Sequence, residues 1–136
     1  MKRSQDSFSY HKALEGLKDD KEKFRPTEDD IHEWFDILNH TLFGDKLHPF
    51  VSISIGKPRH AYALFRWFPG ERDKGASLTV TQVFKSKKMF VEILAHEMVH
   101  LFQYQFKEPL GHGPSFWVWR DNFYLQGLTL LKEYHR

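Results

Sequence analysis

Between residues 27 and 44, Ile31, Trp34, Phe35, Leu38 and Leu42 recur at steps of three and four. That spacing predicts an amphipathic helix. Pro26 keeps any earlier helix from running into it, and Thr27 can cap its start. Glu28, Asp29 and Asp30 put negative charge at its positive end, and Gly44 suits its stop. Val51, Ile53 and Ile55 then alternate with Ser52, Ser54 and Gly56, the two-residue period of a half-buried strand that Pro58 ends. The aromatic, extended run His60 to Phe68 predicts a second strand. Ala76 to Phe84, with Leu78, Val80 and Val83 among Thr and Ser, predicts a third. Pro69-Gly70 and Asp73-Lys74-Gly75 mark the turn between them. Connections this short favour an antiparallel meander.

Residues 87–106 predict a second long helix, free of Gly and Pro, with Phe90, Ile93, Leu94 and Leu101 on its apolar face. Lys107 to Pro114 holds two Pro and two Gly and reads as a loop. Pro114 suits the first turn of a third helix, in which Phe116, Trp119, Phe123 and Tyr124 keep helical spacing up to Gly127. Residues 1–24 mix charges with few apolar anchors. Tyr10, Leu14 and Leu17 sit at helical spacing there, so the segment reads as a tail or a loose helix, with the main domain at 25–136. The pattern as a whole gives an α+β fold, a small antiparallel sheet packed against helices, with the second long helix in the core.

Composition narrows the function. A chain of 136 residues fits one domain, and an aromatic content of 16% excludes a disordered one. The sequence has no Cys, which removes disulfides, thiol nucleophiles, iron–sulfur clusters and Cys-type zinc ribbons, and fits a reducing compartment. No run of apolar residues is long enough for a membrane span, and the polar start Met1 to Asp6 gives no expectation of a secretory leader. A cytoplasmic location is expected, or a nuclear one in a eukaryote. The formal net charge of +2 hides an uneven spread: residues 51–95 carry 8 Lys/Arg against 3 Asp/Glu. Tyr62, Phe65, Trp67 and Phe68 are interleaved with that basic excess. Basic side chains contact phosphates and flat rings stack on unpaired bases, so Arg59, Arg66, Lys85, Lys87 and Lys88 are candidate contacts to DNA, single-stranded or in DNA–protein complexes. The simpler reading of the same charges is a solvated sheet edge and helix start.

The chemistry concentrates in His96-Glu97-Met98-Val99-His100. On a helix, residues four apart share one face, so both imidazoles can reach one tetrahedral Zn²⁺. Glu97, one residue on from the first imidazole, is placed to act as general base and not as a ligand. Burying three ionisable groups on a strongly apolar helix without a role would be costly. A catalytic zinc site needs a third protein ligand and an open position. Downstream candidates are His112, His135 and the carboxylate of Glu108. Glycines on both sides of His112 let the backbone turn sharply toward a metal, whereas His135 lies where chain ends fray. His112 is the choice.

Residues 90–116, FVEILAHEMVHLFQYQFKEPLGHGPSF, resemble the SprT-like metallopeptidase domain, the zincin module of Spartan-type proteases. There an HExxH helix is followed by a loop with a G-H-G-x-x-F element whose His is the third zinc ligand. The resemblance implies His96, His100 and His112 as ligands and Glu97 as the catalytic base. Leu42 to Leu47 resembles the helix-end segment of that family, and the likeness covers roughly residues 28–124. The sequence departs from members with a Cys-rich zinc ribbon and from those with long DNA-binding tails.

The expected function is therefore zinc-dependent peptide hydrolysis, with DNA-bound proteins as one substrate class. Tyr62, Arg66 and Tyr104 are candidate donors to the developing oxyanion. Two other readings compete. One is a non-catalytic zinc-containing module that holds nucleic acid. The other is a hydrolase of non-protein amides, since HExxH sets the water chemistry and not the substrate.

Overall fold

The computed structural model describes residues 2–18, 21–68 and 75–134. The order of elements is α1 (Lys2–Glu15), α2 (Glu28–Phe43), β1 (Ser52–Gly56), β2 (Ala63–Arg66), β3 (Ser77–Thr81), α3 (Lys87–Gln105), α4 (Pro114–Trp117) and α5 (Arg120–Leu125). The turn residues 69–74, with Arg72 and Lys74, lie outside the described residues, as does His135.

Helix α2 starts as its sequence dictates. The Thr27 hydroxyl accepts from the Asp30 amide at 3.1 Å, and the Asp30 carboxylate accepts from the Thr27 amide at 2.9 Å, a reciprocal capping box. Gly44 ends the helix at φ 60°. The Asn39 side chain then clips the turn shut, donating to the Leu47 carbonyl and accepting from its amide, each at 3.0 Å. This buries Leu47 and fixes the way the chain leaves α2 toward the sheet. Ahead of α2, Leu14 of α1 is buried in the common core, with Tyr10 and Leu17 packed against it. Phe24 and Phe84 exchange both backbone hydrogen bonds, at 2.9 and 2.8 Å, tying that segment to the start of α3.

The α+β class is the observed one, but the sheet is mixed and not an antiparallel meander. Its order is β1-β3-β2, with β1 parallel and β2 antiparallel to β3. Ile53 faces Leu78 in the first pair and Phe65 faces Leu78 in the second. β3, at the centre, is the most buried strand, Leu78 and Val80 being nearly inaccessible. The β1–β2 connection, residues 57–62, must cross about 10 Å, two strand spacings, which six residues span without strain. The predicted second strand, 60–68, shrinks to Ala63–Arg66, and the left-handed φ of 58° at His60 keeps it from starting at that residue.

The third helix also differs from expectation. Val118 and Trp119 separate α4 from α5 while keeping helical angles, and the Trp119 amide bonds the Phe116 carbonyl in a tightened turn. The turn lets Trp119 pack on Phe43 and Phe102, with ring centroids 4.6 and 4.8 Å away. Helix α3 begins with Ser86 accepting from the Met89 amide. Its buried side extends well beyond the predicted face and includes Val91, Ala95, Met98, Val99 and Tyr104. It runs through the core against α2, β2 and α4. Among the described residues, no helix is long and apolar enough to cross a membrane.

Candidate metal centre

Burial of α3 fixes the first half of the site. His96 and His100, one turn apart, bring their Nε2 atoms to 3.2 Å from each other. His112, from the loop between α3 and α4, brings its Nε2 to 3.4 Å from that of His96. The three side chains form the group able to hold a metal ion among the described residues, with ligand atoms all within 4.8 Å of one another.

Hydrogen bonding decides which ring nitrogens carry protons. His96 Nδ1 lies 2.8 Å from the Leu131 carbonyl oxygen, which can only accept, so Nδ1 is the protonated nitrogen and donates. His100 Nδ1 lies 2.8 Å from Gln103 Oε1. Gln103 Nε2 donates to the Gly111 carbonyl at 3.1 Å and to Ser115 Oγ at 3.0 Å, so Oε1 is its acceptor and His100 Nδ1 is protonated too. The Nε2 lone pairs of His96 and His100 therefore face each other with no proton between them. That contact is repulsive until a cation fills it. Ligand nitrogens at 2.0–2.1 Å around a tetrahedral ion stand about 3.3 Å apart, which matches the 3.2 and 3.4 Å separations. The donor set fits a divalent metal.

The surroundings favour neutral imidazoles. Burial, then the neighbouring His100, push His96 down to about 3, against the opposing pull of the Leu131 carbonyl. Burial also lowers His100, while the Gln103 bond raises it in part. His112 is lowered by burial and by Lys132, and raised by Glu133. Phe116, fully buried, floors the site, with its ring centroid 5.0, 5.5 and 4.7 Å from His96, His100 and His112.

Glu97 lies beside this cluster and outside it. Its carboxylate oxygen is 3.9 Å from His96 Nε2, its side chain is 13% exposed, and burial pushes its carboxyl up to about 8. It faces a cleft of about 310 Å³ whose lining includes His60, Tyr62, Lys132, Glu133 and Tyr134. Of the three candidate oxyanion donors, Tyr62 lines this cleft. The Tyr104 hydroxyl donates to the Gly75 carbonyl at 3.0 Å, and the exposed Arg66 borders a different cavity with Trp67 and Phe68. Glu108 is not among the clustered donors.

The candidate DNA contacts lie on two segments, Arg59 and Arg66 around β2 and Lys85, Lys87 and Lys88 at the start of α3. Arg59 is exposed in the β1–β2 connection, and Arg66 ends β2. Lys87 stands 5.8 and 5.6 Å from the Phe24 and Trp34 ring centroids. Lys85 and Lys88 line a cavity with Lys21 and Lys23.

Sequence reasoning missed Gln103, the Leu131 carbonyl, the role of Phe116 and the place of Tyr134. A signal existed for Gln103: it continues the i, i+4, i+7 stripe of His96 and His100 as a polar residue inside an apolar helix. For Leu131 there was none, because a backbone carbonyl acts there. Comparison with known proteins adds one finding: a family model described as the SprT-like family matches residues 31–130, which take in all three histidines and Glu97. No curated protein matches the chain.

Proposed function

The chain belongs to the SprT-like family, and on that premise we propose that it is a zinc-dependent metallopeptidase, with His96, His100 and His112 as ligands and Glu97 as general base. One observation supports this above all. Three imidazole nitrogens converge within 4.8 Å of one another, with two separations of 3.2 and 3.4 Å, beside a largely buried carboxyl that faces a cleft. Zinc held there supplies Lewis-acid activation of water and of the scissile carbonyl. The protein does the rest. Leu131 and Gln103 hold His96 and His100 in the tautomer that presents Nε2. With a cation at the three imidazoles favouring its ionised form against the effect of burial, Glu97 accepts the proton of the attacking water at its carboxylate and returns it to the leaving amine. Tyr62, which lines the cleft, is the candidate donor to the oxyanion, whereas the Tyr134 hydroxyl already donates to the Thr129 carbonyl at 3.3 Å.

A non-catalytic site would be closed by a fourth protein ligand, and the described residues bring three. The test is zinc content together with casein cleavage and autocleavage, with and without single-stranded DNA. Stoichiometric zinc and activity that dies in Glu97→Gln are expected. Zinc without any cleavage would favour a purely binding role. For DNA as a partner, we propose the exposed Arg59 and Arg66 as contacts. Affinity through them falls steeply between about 50 and 200 mM salt, and a salt-indifferent affinity removes them.

A further inference from the structure

A second cavity, of about 520 Å³, adjoins the cleft. Two separate segments supply its charge: Lys21 and Lys23 ahead of the Phe24–Phe84 bridge, and Lys85 and Lys88 at the start of α3. Among the described residues, Lys21, Lys23 and Lys88 form no ion pair. The one acidic residue on the wall is Glu92, whose Oε2 accepts from the Thr129 amide at 2.8 Å. Four ammonium groups against one carboxylate attract an anion. The remaining walls are largely apolar, from Met89, Leu131 and Tyr134.

The cavity and the cleft share Tyr134, and they follow one another along α3. Glu92 precedes His96 by about one turn, roughly 6 Å, and Lys88 precedes it by about two, roughly 12 Å. An extended peptide advances about 3.3 Å per residue. Side chains two to four residues from a bond cleaved at the metal centre therefore reach the lysines.

We infer that this lysine-lined cavity is a subsite for acidic side chains of the peptide substrate, an inference that rests on the peptidase reading above. A nucleic acid is the weaker match. Its phosphates follow one another along an open track, and the carboxylate of Glu92 repels a polyanion while leaving room for single carboxylates beside the lysines.

The test uses the zinc-loaded protein and quenched fluorescent peptides that carry Glu, Gln or Lys two to four residues from the scissile bond. The Glu peptide is expected to exceed the Gln peptide about tenfold in kcat/KM, mainly through KM, with the Lys peptide last. The double variant Lys85→Glu/Lys88→Glu inverts the order of the Glu and Lys peptides. The milder Lys88→Gln narrows the gap, and zinc content and melting temperature report whether each variant folds. Measurable but equal wild-type rates on the three peptides overturn the inference. A second arm separates its failure from that of the peptidase reading. In zinc-loaded Glu97→Gln, fluorescence anisotropy follows a labelled Glu-rich peptide that is not cleaved. Binding lost in the lysine variants supports the subsite even if no peptide is ever hydrolysed. Absent binding, or binding of single-stranded DNA alone that the lysine variants abolish, overturns it.

Discussion

The helix that carries His96 and His100 is buried on most of its surface, whereas His112 stands in a loop that takes positive φ at Lys107 and Gly111. Both regions bring an imidazole to the same point by different physics. On α3, Phe90, Leu94, Met98 and Leu101 lock the helix in the core, and the helical pitch does the aiming. In the loop, Leu110 is half-buried and Gly113 and Pro114 are exposed. Its place is set by Gln103, which holds the Gly111 amide and carbonyl and Ser115 Oγ while also accepting from His100. One fully buried amide thus couples the rigid half of the site to the irregular half. The comparison implies that chemistry and stability depend on the helix, and that the loop decides how tightly metal is held.

The sharpest break would come on the helix. Glu97→Gln should lower hydrolysis by about 10²–10⁴-fold while leaving zinc content intact, as read by single-turnover kinetics and metal analysis. Retained activity at full zinc content would take the helix's carboxyl out of the reaction.

Next in size is the pH dependence of the metal-free protein, where the helix groups pull in opposite directions. His96 is held far below its ordinary value of 6.5, so its contribution is full above that pH and fades toward pH 3. Glu97 is raised from 4.5 to about 8, so its contribution is full below 4.5 and fades as pH rises to 8. Between about 4.5 and 6.5 the two slopes oppose each other. Stability from urea unfolding should fall on both sides of that window, by an amount on the order of a few kcal/mol toward acid. His100 and His112, lowered as well, steepen the acid side. In Glu97→Gln the alkaline decline should vanish and the acid decline should begin near 6.5. A variant profile that matches the wild type would detach Glu97 from the linkage.

Gln103 tests the coupling itself. Gln103→Leu should weaken zinc binding by about 10–100-fold in chelator competition. Gln103→Glu retains an acceptor for His100 but loses the amide donors to Gly111 and Ser115, so it should fall between the two. If both variants bind zinc like the wild type, the loop is held by something other than this amide.

How much of this was legible beforehand follows the same division. Periodicity located α2 and α3 almost to the residue, because each is built from a local pattern: Thr27 as a cap, the stripe from Ile31, and the apolar face around Phe90. The His96, Glu97 and His100 cluster followed from helical pitch alone. Sheet order was not legible, since the central place of β3 goes with burial against the whole core, which no local alternation encodes. The break at Val118–Trp119 was hidden for a like reason: Trp119 turns to meet Phe43, 76 positions away in the chain. Gln103 and the Leu131 carbonyl act across turns of chain that a linear pattern does not relate.

The smallest expected effect separates two glycines that the sequence treats alike. Gly111 and Gly113 flank His112, and either could serve a sharp turn. Gly111 has φ 133°, a conformation an L side chain rarely adopts, although a Cβ there would meet no atom within 4 Å. Gly113 has φ −88° and extended ψ at the start of α4, with the same open space around it. Gly111→Ala therefore costs backbone strain alone, about 1–3 kcal/mol. That strain falls on the residue whose amide and carbonyl Gln103 holds. Zinc affinity should drop by about tenfold or somewhat more, because His112 reaches the metal only with that strain held, while the melting temperature of the metal-free protein falls by a few degrees at most, since without metal the loop is free to relax out of it. Gly113→Ala should leave both unchanged. Equal losses in the two variants would mean that flexibility of the whole loop, and not the single conformation at Gly111, brings His112 to the metal.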